Sequence, residues 1–551
     1  MLHGCVPWPE DLARRYRERG YWGDVTIGEQ FDASVARWGD REALVSGSER
    51  LSYGELGARI DRLAAGLARS GLRPLDRVVM QLPNIPEFVY VYYALAKIGV
   101  IPVMAMRPHR HTEIRHFARS SGAVGWFIPG PFGNFDFPAM ADEVRPDCPT
   151  LQQVFVAGEP RPGQVALRPL IEAPRDEGET RATLQRLRPA ADEVALMLLS
   201  GGTTALPKLI PRTHNDYAYN AAQCARVAGF SERTVLMAVL PLAHNYNLSS
   251  PGIMGTFACG GKVVLAPSPD AETVFPIVER ERVTVIAAAV PLVANWLNSP
   301  VPKRHDTSSL QVIQNGGARL APELRQRVRD ELGATPQEIY GTAEGLISMV
   351  RTDGSAEEIF DSSGVPVCPD DEIKVVDDND NEVPDGEPGE LLTRGPYTIR
   401  GYYDNAEKNR EAFTADGFYR MGDIVRKRGR HLYTEGRRKD LINRGGEKIS
   451  CDEIENYIFA HPKVKTATLV AMPDEVFGEK ACAFVIPKPG ETLSFDELIA
   501  FLRAQKIASF KLPERLEVRS EFPLSPAGKI LKRTLREEIT AKLAQEKAAR
   551  K

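Results

Sequence analysis

Leu199-Ser200-Gly201-Gly202-Thr203-Thr204-Ala205-Leu206-Pro207-Lys208 gathers two glycines, three hydroxyls and a lysine directly after the apolar run Val194 to Leu199. Such a loop can wrap a phosphate chain. Glycines let the backbone approach closely, N–H groups and hydroxyls donate to phosphate oxygens, and the lysine adds charge. The spacing is not the GxxxxGK[ST] of P-loop nucleotidases, which excludes that class. A Gly/Thr-rich stretch is also what an ordinary turn looks like, so its meaning depends on the rest of the chain.

At 551 residues the chain exceeds what one core fills, and two or more domains are expected. It is 43% hydrophobic and 26% charged, an ordinary globular composition. A net charge of −4 gives no basic field to draw the chain to nucleic acid or an anionic membrane. No apolar run approaches the roughly 20 residues of a spanning helix. Met1 to Pro9 lacks the charged-then-apolar order of a signal peptide. The seven cysteines are scattered, with no CxxC pair or Cys/His cluster. That reads as reduced thiols in a cytoplasmic protein without structural zinc.

Pro9 to Trp22 reads as a polar helix, and Leu51 to Leu72 as an amphipathic one. β-rich runs (Arg77 to Gln81, Val263 to Leu265, Val283 to Ala289) alternate with helical patterns (Pro86 to Ile98, Ala271 to Arg282, Pro322 to Leu332). This predicts α/β units. From Asp370 to Leu392 the pattern turns to short strands and turns, a smaller β-rich subdomain. After Gly436 an α+β pattern begins: helix Asp452 to Ala460, strands Val464 to Ala471 and Lys480 to Ile486, helix Ser494 to Gln505. Residues 1–436 and 437–551 are therefore expected to form two domains, and Thr540 to Lys551 a charged terminal helix. No carrier-protein serine motif is found.

Four further segments follow the loop in order: Tyr340-Gly341-Thr342-Ala343-Glu344, Tyr419-Arg420-Met421-Gly422-Asp423, Gly436-Arg437-Arg438-Lys439-Asp440 and Pro526-Ala527-Gly528-Lys529-Ile530. Together with the loop they resemble the motifs of the adenylate-forming superfamily of acyl-CoA synthetases, luciferases and adenylation domains. Within it, Leu199 to His214, Leu392 to Tyr403, Ile442 to Lys448 and the opening Trp8-Pro9-Glu10 resemble the stand-alone aryl-acid–AMP ligases of siderophore pathways. The likeness spans the whole chain. It is nearest to 2,3-dihydroxybenzoate–AMP ligase, with salicylate–AMP ligase close beside it.

The resemblance implies a large N-terminal adenylate-forming domain and a small mobile C-terminal one. It implies two half-reactions. A carboxylate attacks the α-phosphate of Mg-ATP, giving acyl-adenylate and pyrophosphate. A thiol then attacks the acyl carbon and AMP leaves. Catalysis is positioning and charge stabilisation, with no side-chain nucleophile. Ser200, Gly201, Gly202, Thr203, Thr204 and Lys208 would hold phosphates, and Glu344 would help hold Mg²⁺. Asp423 would accept the ribose hydroxyls. Tyr340 would lie against the adenine, with Gly316, Gly317 and Ala318 as a small-residue wall, and Gly341, Thr342 and Arg437 would also bind the nucleotide. Lys529 would bridge the carboxylate and the α-phosphate. Lys439 would be the hinge on which the small domain rotates, bringing Gly445 and Gly446 to line a pantetheine tunnel. The thiol partner would be phosphopantetheine on a separate aryl carrier protein.

His244-Asn245-Tyr246-Asn247-Leu248-Ser249-Ser250 resembles the family's acid-binding segment HN[YF]PLSS. Amino-acid-activating relatives usually carry an aspartate where Asn245 stands. A neutral amide cannot pair with an ammonium but can hydrogen-bond an ortho phenol. In the family a serine at Ser250 accompanies dihydroxybenzoate and a cysteine accompanies salicylate. At Ile347, Val accompanies the former and Leu the latter. His244, Asn245, Tyr246, Ser250 and Ile347 are the expected acid-binding residues. Ala205, Met421, Asn247 and Ile347-Ser348-Met349 depart from the family pattern. Salicylate, a hydroxyanthranilate or a hydroxypicolinate therefore stays open as substrate, as does an aryl-CoA ligase, and so does a nucleotide-binding pseudo-ligase without turnover.

Overall fold

The computed structural model describes residues 1–172, 174, 176–200, 207–445, 447–505, 507–525 and 530–549. Its described strands form four sheets. The first has nine strands, in the order Val365–Pro366, Ile347–Met349, Thr335–Gly341, Val312–Gly316, Val285–Ala288, Val235–Ala238, Lys262–Leu265, Glu42–Ser46, Glu49–Ser52. Its central members are parallel. The second has seven, in the order Val165–Ala166, Gln153–Ala157, Gly125–Pro129, Arg77–Met80, Ile101–Met104, Val194–Leu199, Leu209–Thr213. Strands alternating with helices produce this pattern, as the α/β reading expects.

A shared core lies between these two sheets. Helix Pro86–Lys97 is buried on every side from Phe88 onward. Such an all-round apolar helix must be covered on all faces. Its terminal Lys97 is buried and held by Asp32 and Asp61, so the charge is compensated. Tyr53–Arg69 starts at a capping box: Ser52 Oγ accepts from Glu55 N at 3.2 Å, and the Glu55 carboxylate accepts from Ser52 N at 2.8 Å. His214–Val227 starts the same way on Thr213 and Asp216. Leu44 and Val263 of one sheet, Val78 and Leu196 of the other, and Leu63 and Tyr92 of the helices belong to one cluster.

The third sheet is a four-stranded antiparallel one of Glu372–Val376, Pro388–Arg394, Tyr419–Arg428 and His431–Arg437. The fourth has five strands: Glu447–Ile449, Ile442–Arg444, Gly478–Pro487, Val464–Asp474 and Arg515–Val518, covered by helices Cys451–Phe459 and Phe495–Ala504. One reading changes. The last helix is not a charged tail from Thr540 but runs Lys532–Ala549. Leu535 and Ile539, four residues apart, are buried against Val470 and Phe484. This apolar i, i+4 stripe is easily missed among the lysines and glutamates. No helix among the described residues is long and apolar enough to cross a membrane.

Candidate active site

The expected ligand-binding residues of the first two sheets follow the carboxyl ends of strands, where open α/β sheets bind ligands. Val194–Leu199 runs into Ser200, Val312–Gly316 ends on Gly316, and Thr335–Gly341 ends on Gly341. Ser200 and Lys208 close the base of the phosphate-type loop. Ser200 N donates to Lys208 O at 3.0 Å, and Lys208 N donates to Ser200 Oγ at 3.0 Å. Gly201, Gly202, Thr203 and Thr204 lie outside the described residues. The Lys208 ammonium stands 3.9 Å from the ring centroid of Tyr402. The Tyr402 hydroxyl donates to Glu344 Oε1 at 2.9 Å and lies 3.4 Å from the Tyr419 hydroxyl. Burial, then the Glu344 carboxylate, pushes the Tyr402 phenol up, so it stays a donor. Glu344 is itself buried. The chain leaves it through Gly345 at φ +147°, where a Cβ would come within 2.4 Å of Thr398 Cα. Only glycine lets the Glu344 turn pass that loop.

The third sheet brings Asp423 and Arg437 opposite each other on neighbouring strands. Arg437 Nε lies 2.8 Å from Asp423 Oδ1, and the Tyr340 hydroxyl donates to Asp423 Oδ2 at 2.8 Å. The Asp423 charge is the main cause holding the Arg437 guanidinium above its ordinary value. Tyr340 therefore meets the expected ribose carboxylate through its hydroxyl. Gly317 and Ala318 are exposed, and Gly316 is buried. A Cβ on Gly316 would stand 3.0 Å from Tyr246 Cζ and 3.1 Å from Ile339 O, so a side chain there would press on the Tyr246 ring. Thr342 Oγ1 donates to Gly345 O at 2.9 Å and serves the turn.

The acid segment forms the short helix Asn245–Ser249, capped by His244 Nδ1, which accepts from Tyr246 N at 3.2 Å. Asn245 Oδ1 accepts from the Tyr217 hydroxyl at 2.8 Å and the Ser249 hydroxyl at 3.2 Å. Asn245 Nδ2 is 3.4 Å from Ser250 Oγ. The Tyr246 hydroxyl is buried without a partner among the described residues. Ile347 is buried beside Gly341, its Cδ1 2.8 Å from where a Cβ would sit. Its N–H donates to the Tyr397 hydroxyl at 3.3 Å, and that hydroxyl donates to Asp371 Oδ2 at 2.5 Å. Burial raises the Asp371 carboxyl to about 7 despite the Tyr397 bond.

Beneath both halves sits Arg212, 1% exposed. It donates to Asp216 at 2.7 Å, Ala343 O at 2.9 Å and Tyr397 O at 3.0 Å, and lies 4.7 Å from the Tyr217 ring centroid. Arg212, Tyr217, Tyr397, Tyr402 and Tyr419 all stand in or beside the quoted motifs, yet sequence reasoning gave none of them a role. Their partners come from distant segments, and only the recurrence of buried-type tyrosines near those motifs hints at them. In the C-terminal sheet, Gly445 adopts φ +60° and donates to Phe477 O at 2.8 Å. Lys439 lies in the short 3-10 turn Arg438–Asp440. Gly446 and Lys529 lie outside the described residues.

Residues 31–403 match the AMP-binding enzyme family, and residues 453–529 match the AMP-binding enzyme C-terminal domain. The chain is 45% identical over 544 residues to a 2,3-dihydroxybenzoate-AMP ligase of Bacillus subtilis, covering 98% of this chain and 99% of the relative. It is 46% identical to a salicylyl-CoA synthase / salicylate adenylyltransferase of a Streptomyces species, covering 98% of each. Among solved structures it is similar to apo MbtA of Mycobacterium smegmatis, with TM-score 0.73 and 36% identity over 97% of this chain and 99% of that one. These matches cover most of the chain, and they show that it belongs to the AMP-binding enzymes, among the aryl-acid–AMP ligases.

Proposed function

We propose that the chain adenylates an ortho-hydroxylated benzoate, 2,3-dihydroxybenzoate foremost, and passes the acyl group to the phosphopantetheine thiol of a separate carrier protein. The observation that carries this reading is the buried pair Asn245–Ser250. A neutral amide and a hydroxyl, 3.4 Å apart, offer hydrogen bonds and no charge. That suits two adjacent phenols and leaves an ammonium without a counter-charge. The Bacillus relative's name supports the same acid.

Lys208, Glu344, Asp423 and Arg437 line the nucleotide side. Thr203, Thr204 and Lys529 join them by resemblance. Glu344 fits a shared magnesium as a buried lone carboxylate, its Oε1 accepting from Tyr402. A magnesium held there would supply positive charge to offset the phosphates. The seven cysteines are all unpaired, in keeping with a cytoplasmic location. Coenzyme A as the thiol is the second reading, favoured by the name of the Streptomyces relative.

The test is ATP–pyrophosphate exchange with a panel of aryl acids, followed by thiol loading with a phosphopantetheinylated carrier or coenzyme A. 2,3-Dihydroxybenzoate should exceed salicylate by about two- to twelve-fold, the worth of one neutral hydrogen bond. Benzoates lacking the ortho hydroxyl should fall far behind, by up to ~10⁴. Ser250→Cys should erase or invert the first preference, because a thiol bonds weakly. A wild-type preference for salicylate, or for an acid with no ortho hydroxyl, sinks the assignment of the acid.

A further inference from the structure

Asn245 is the group on which the acid reading rests, and its amide can be turned either way. An oxygen facing the substrate would accept from an ortho N–H. A nitrogen facing it would donate to an ortho oxygen. The residues behind Asn245 decide between the two.

Tyr217 and Asn220 stand three residues apart on helix His214–Val227 and share a face. The Asn220 amide nitrogen donates to Ser249 O at 2.9 Å and to Ser249 Oγ at 3.0 Å. Ser249 Oγ is thereby used as an acceptor, and its own hydrogen needs an acceptor elsewhere. Ser249 Oγ donates to Asn245 Oδ1, at 3.2 Å. Tyr217 Oη lies 2.8 Å from the same oxygen. Both hydroxyls are buried, so neither has water as an alternative partner. Burial also pushes the Tyr217 phenol up, which keeps its hydrogen available. Were the amide reversed, the two buried hydroxyls would lose Asn245 Oδ1 as their shared acceptor and at least one hydrogen would be left facing an N–H, which is costly.

We propose that Tyr217 and Ser249, with Asn220 behind them, are positioning residues that lock the Asn245 amide with its N–H groups toward the substrate, so that the pocket selects an ortho oxygen over an ortho amine. This rests on the aryl-acid reading above. The outward nitrogen meets only Ser250 Oγ, at 3.4 Å, among the described residues, which leaves an N–H for a ligand.

The chemistry of the acids completes the selection. In 2-hydroxybenzoate the phenol hydrogen turns toward the neighbouring carboxylate, and the oxygen's lone pairs face outward. They accept from Asn245. In 2-aminobenzoate one N–H turns to the carboxylate and the other points outward, at the Asn245 N–H. The nitrogen lone pair is drawn into the ring and accepts poorly. Donor then meets donor. Of the acids left open by the sequence, a 3-hydroxypicolinate satisfies this rule and an ortho-amino hydroxyanthranilate does not.

The test compares 2-hydroxybenzoate with 2-aminobenzoate in ATP–pyrophosphate exchange, for wild type, Tyr217→Phe and Ser249→Ala. Each variant removes one of the two donors that hold the amide, and Phe keeps the ring against Arg212. Wild type should prefer the hydroxy acid, and the ratio of kcat/KM values should shrink about two- to twelve-fold in each variant. A merely structural role would lower both acids by the same factor and leave the ratio fixed. An unchanged ratio in both variants, or a wild-type preference for the amine, overturns this proposal alone. Absence of exchange with every aryl acid overturns the underlying reading and this proposal with it.

Discussion

At the scale of single residues, Tyr402 links two groups that the reaction would use together. Its ring lies against the Lys208 ammonium and its hydroxyl bonds the Glu344 carboxylate. Tyr402→Phe keeps the first contact and deletes the second. A hydrogen bond to a charged group is worth about 1.5–3 kcal/mol. Exchange at limiting magnesium should therefore weaken by about ten- to a hundred-fold, with a smaller loss at saturating magnesium. Titration of magnesium in both proteins checks this, and parallel losses at all magnesium concentrations would mean that Tyr402 does not orient Glu344. Lys208, Glu344, Asp423 and Asn245 could be picked out in the sequence, because the charge or neutrality of each side chain suggests a task. Tyr402 was not legible, because a tyrosine in a motif says nothing of which distant carboxylate and lysine the fold will bring to it.

At the scale of elements, the strand Ile347–Met349 and the start of the third sheet are joined by one buried acid. Asp371 accepts from Tyr397, whose hydroxyl also meets the Ile347 N–H at 3.3 Å. Its other oxygen has no partner among the described residues. Burial pushes the native carboxyl from 3.8 up to about 7. Well below pH 3.8 the group is protonated in folded and unfolded chains alike, and its ionisation costs nothing. As pH rises toward 7, the unfolded chain releases the proton while the native state retains it, so the native state loses stability. Above 7 the loss is complete, of order 4 kcal/mol for about three pKa units. Asp371→Asn has the same shape and does not titrate. Its stability relative to wild type should rise between pH 4 and 7 and stay level above, read from denaturant midpoints. A difference independent of pH would refute the raised carboxyl. The alternating strands and helices were readable from periodicity, but this joint was not. A polar Asp in a turn-rich stretch looks solvated until the third sheet folds over it.

At the scale of the molecule, the proposed reaction needs two arrangements of the C-terminal domain, and the junction between the sheets has the construction for a joint. Arg438 is held to the third sheet's side through Glu390 at 2.8 Å and Asp378 at 2.7 Å. Asp440 is held to the C-terminal side, its carbonyl by Cys451 Sγ at 2.8 Å and its carboxylate by Arg536 at 3.5 Å. Lys439 lies between the two anchors. Exposed ion pairs such as Arg438–Asp378 are weak, so releasing one costs little. A hinge at Lys439, as the resemblance implies, would absorb backbone rotation without touching the chemistry. Proline fixes φ, so Lys439→Pro should leave acid-dependent pyrophosphate exchange near wild type while transfer to the thiol collapses. Lys529→Ala should do the reverse. If Lys529 meets the α-phosphate as the resemblance implies, losing that donor should cut adenylation by about 10²–10³, while transfer from supplied acyl-adenylate should survive, because the proposed second arrangement would move that lysine away. The pair of variants separates the two halves of the reaction. Normal transfer in Lys439→Pro would move the hinge elsewhere. Equal loss of both half-reactions in Lys529→Ala would mean that one arrangement serves for both steps.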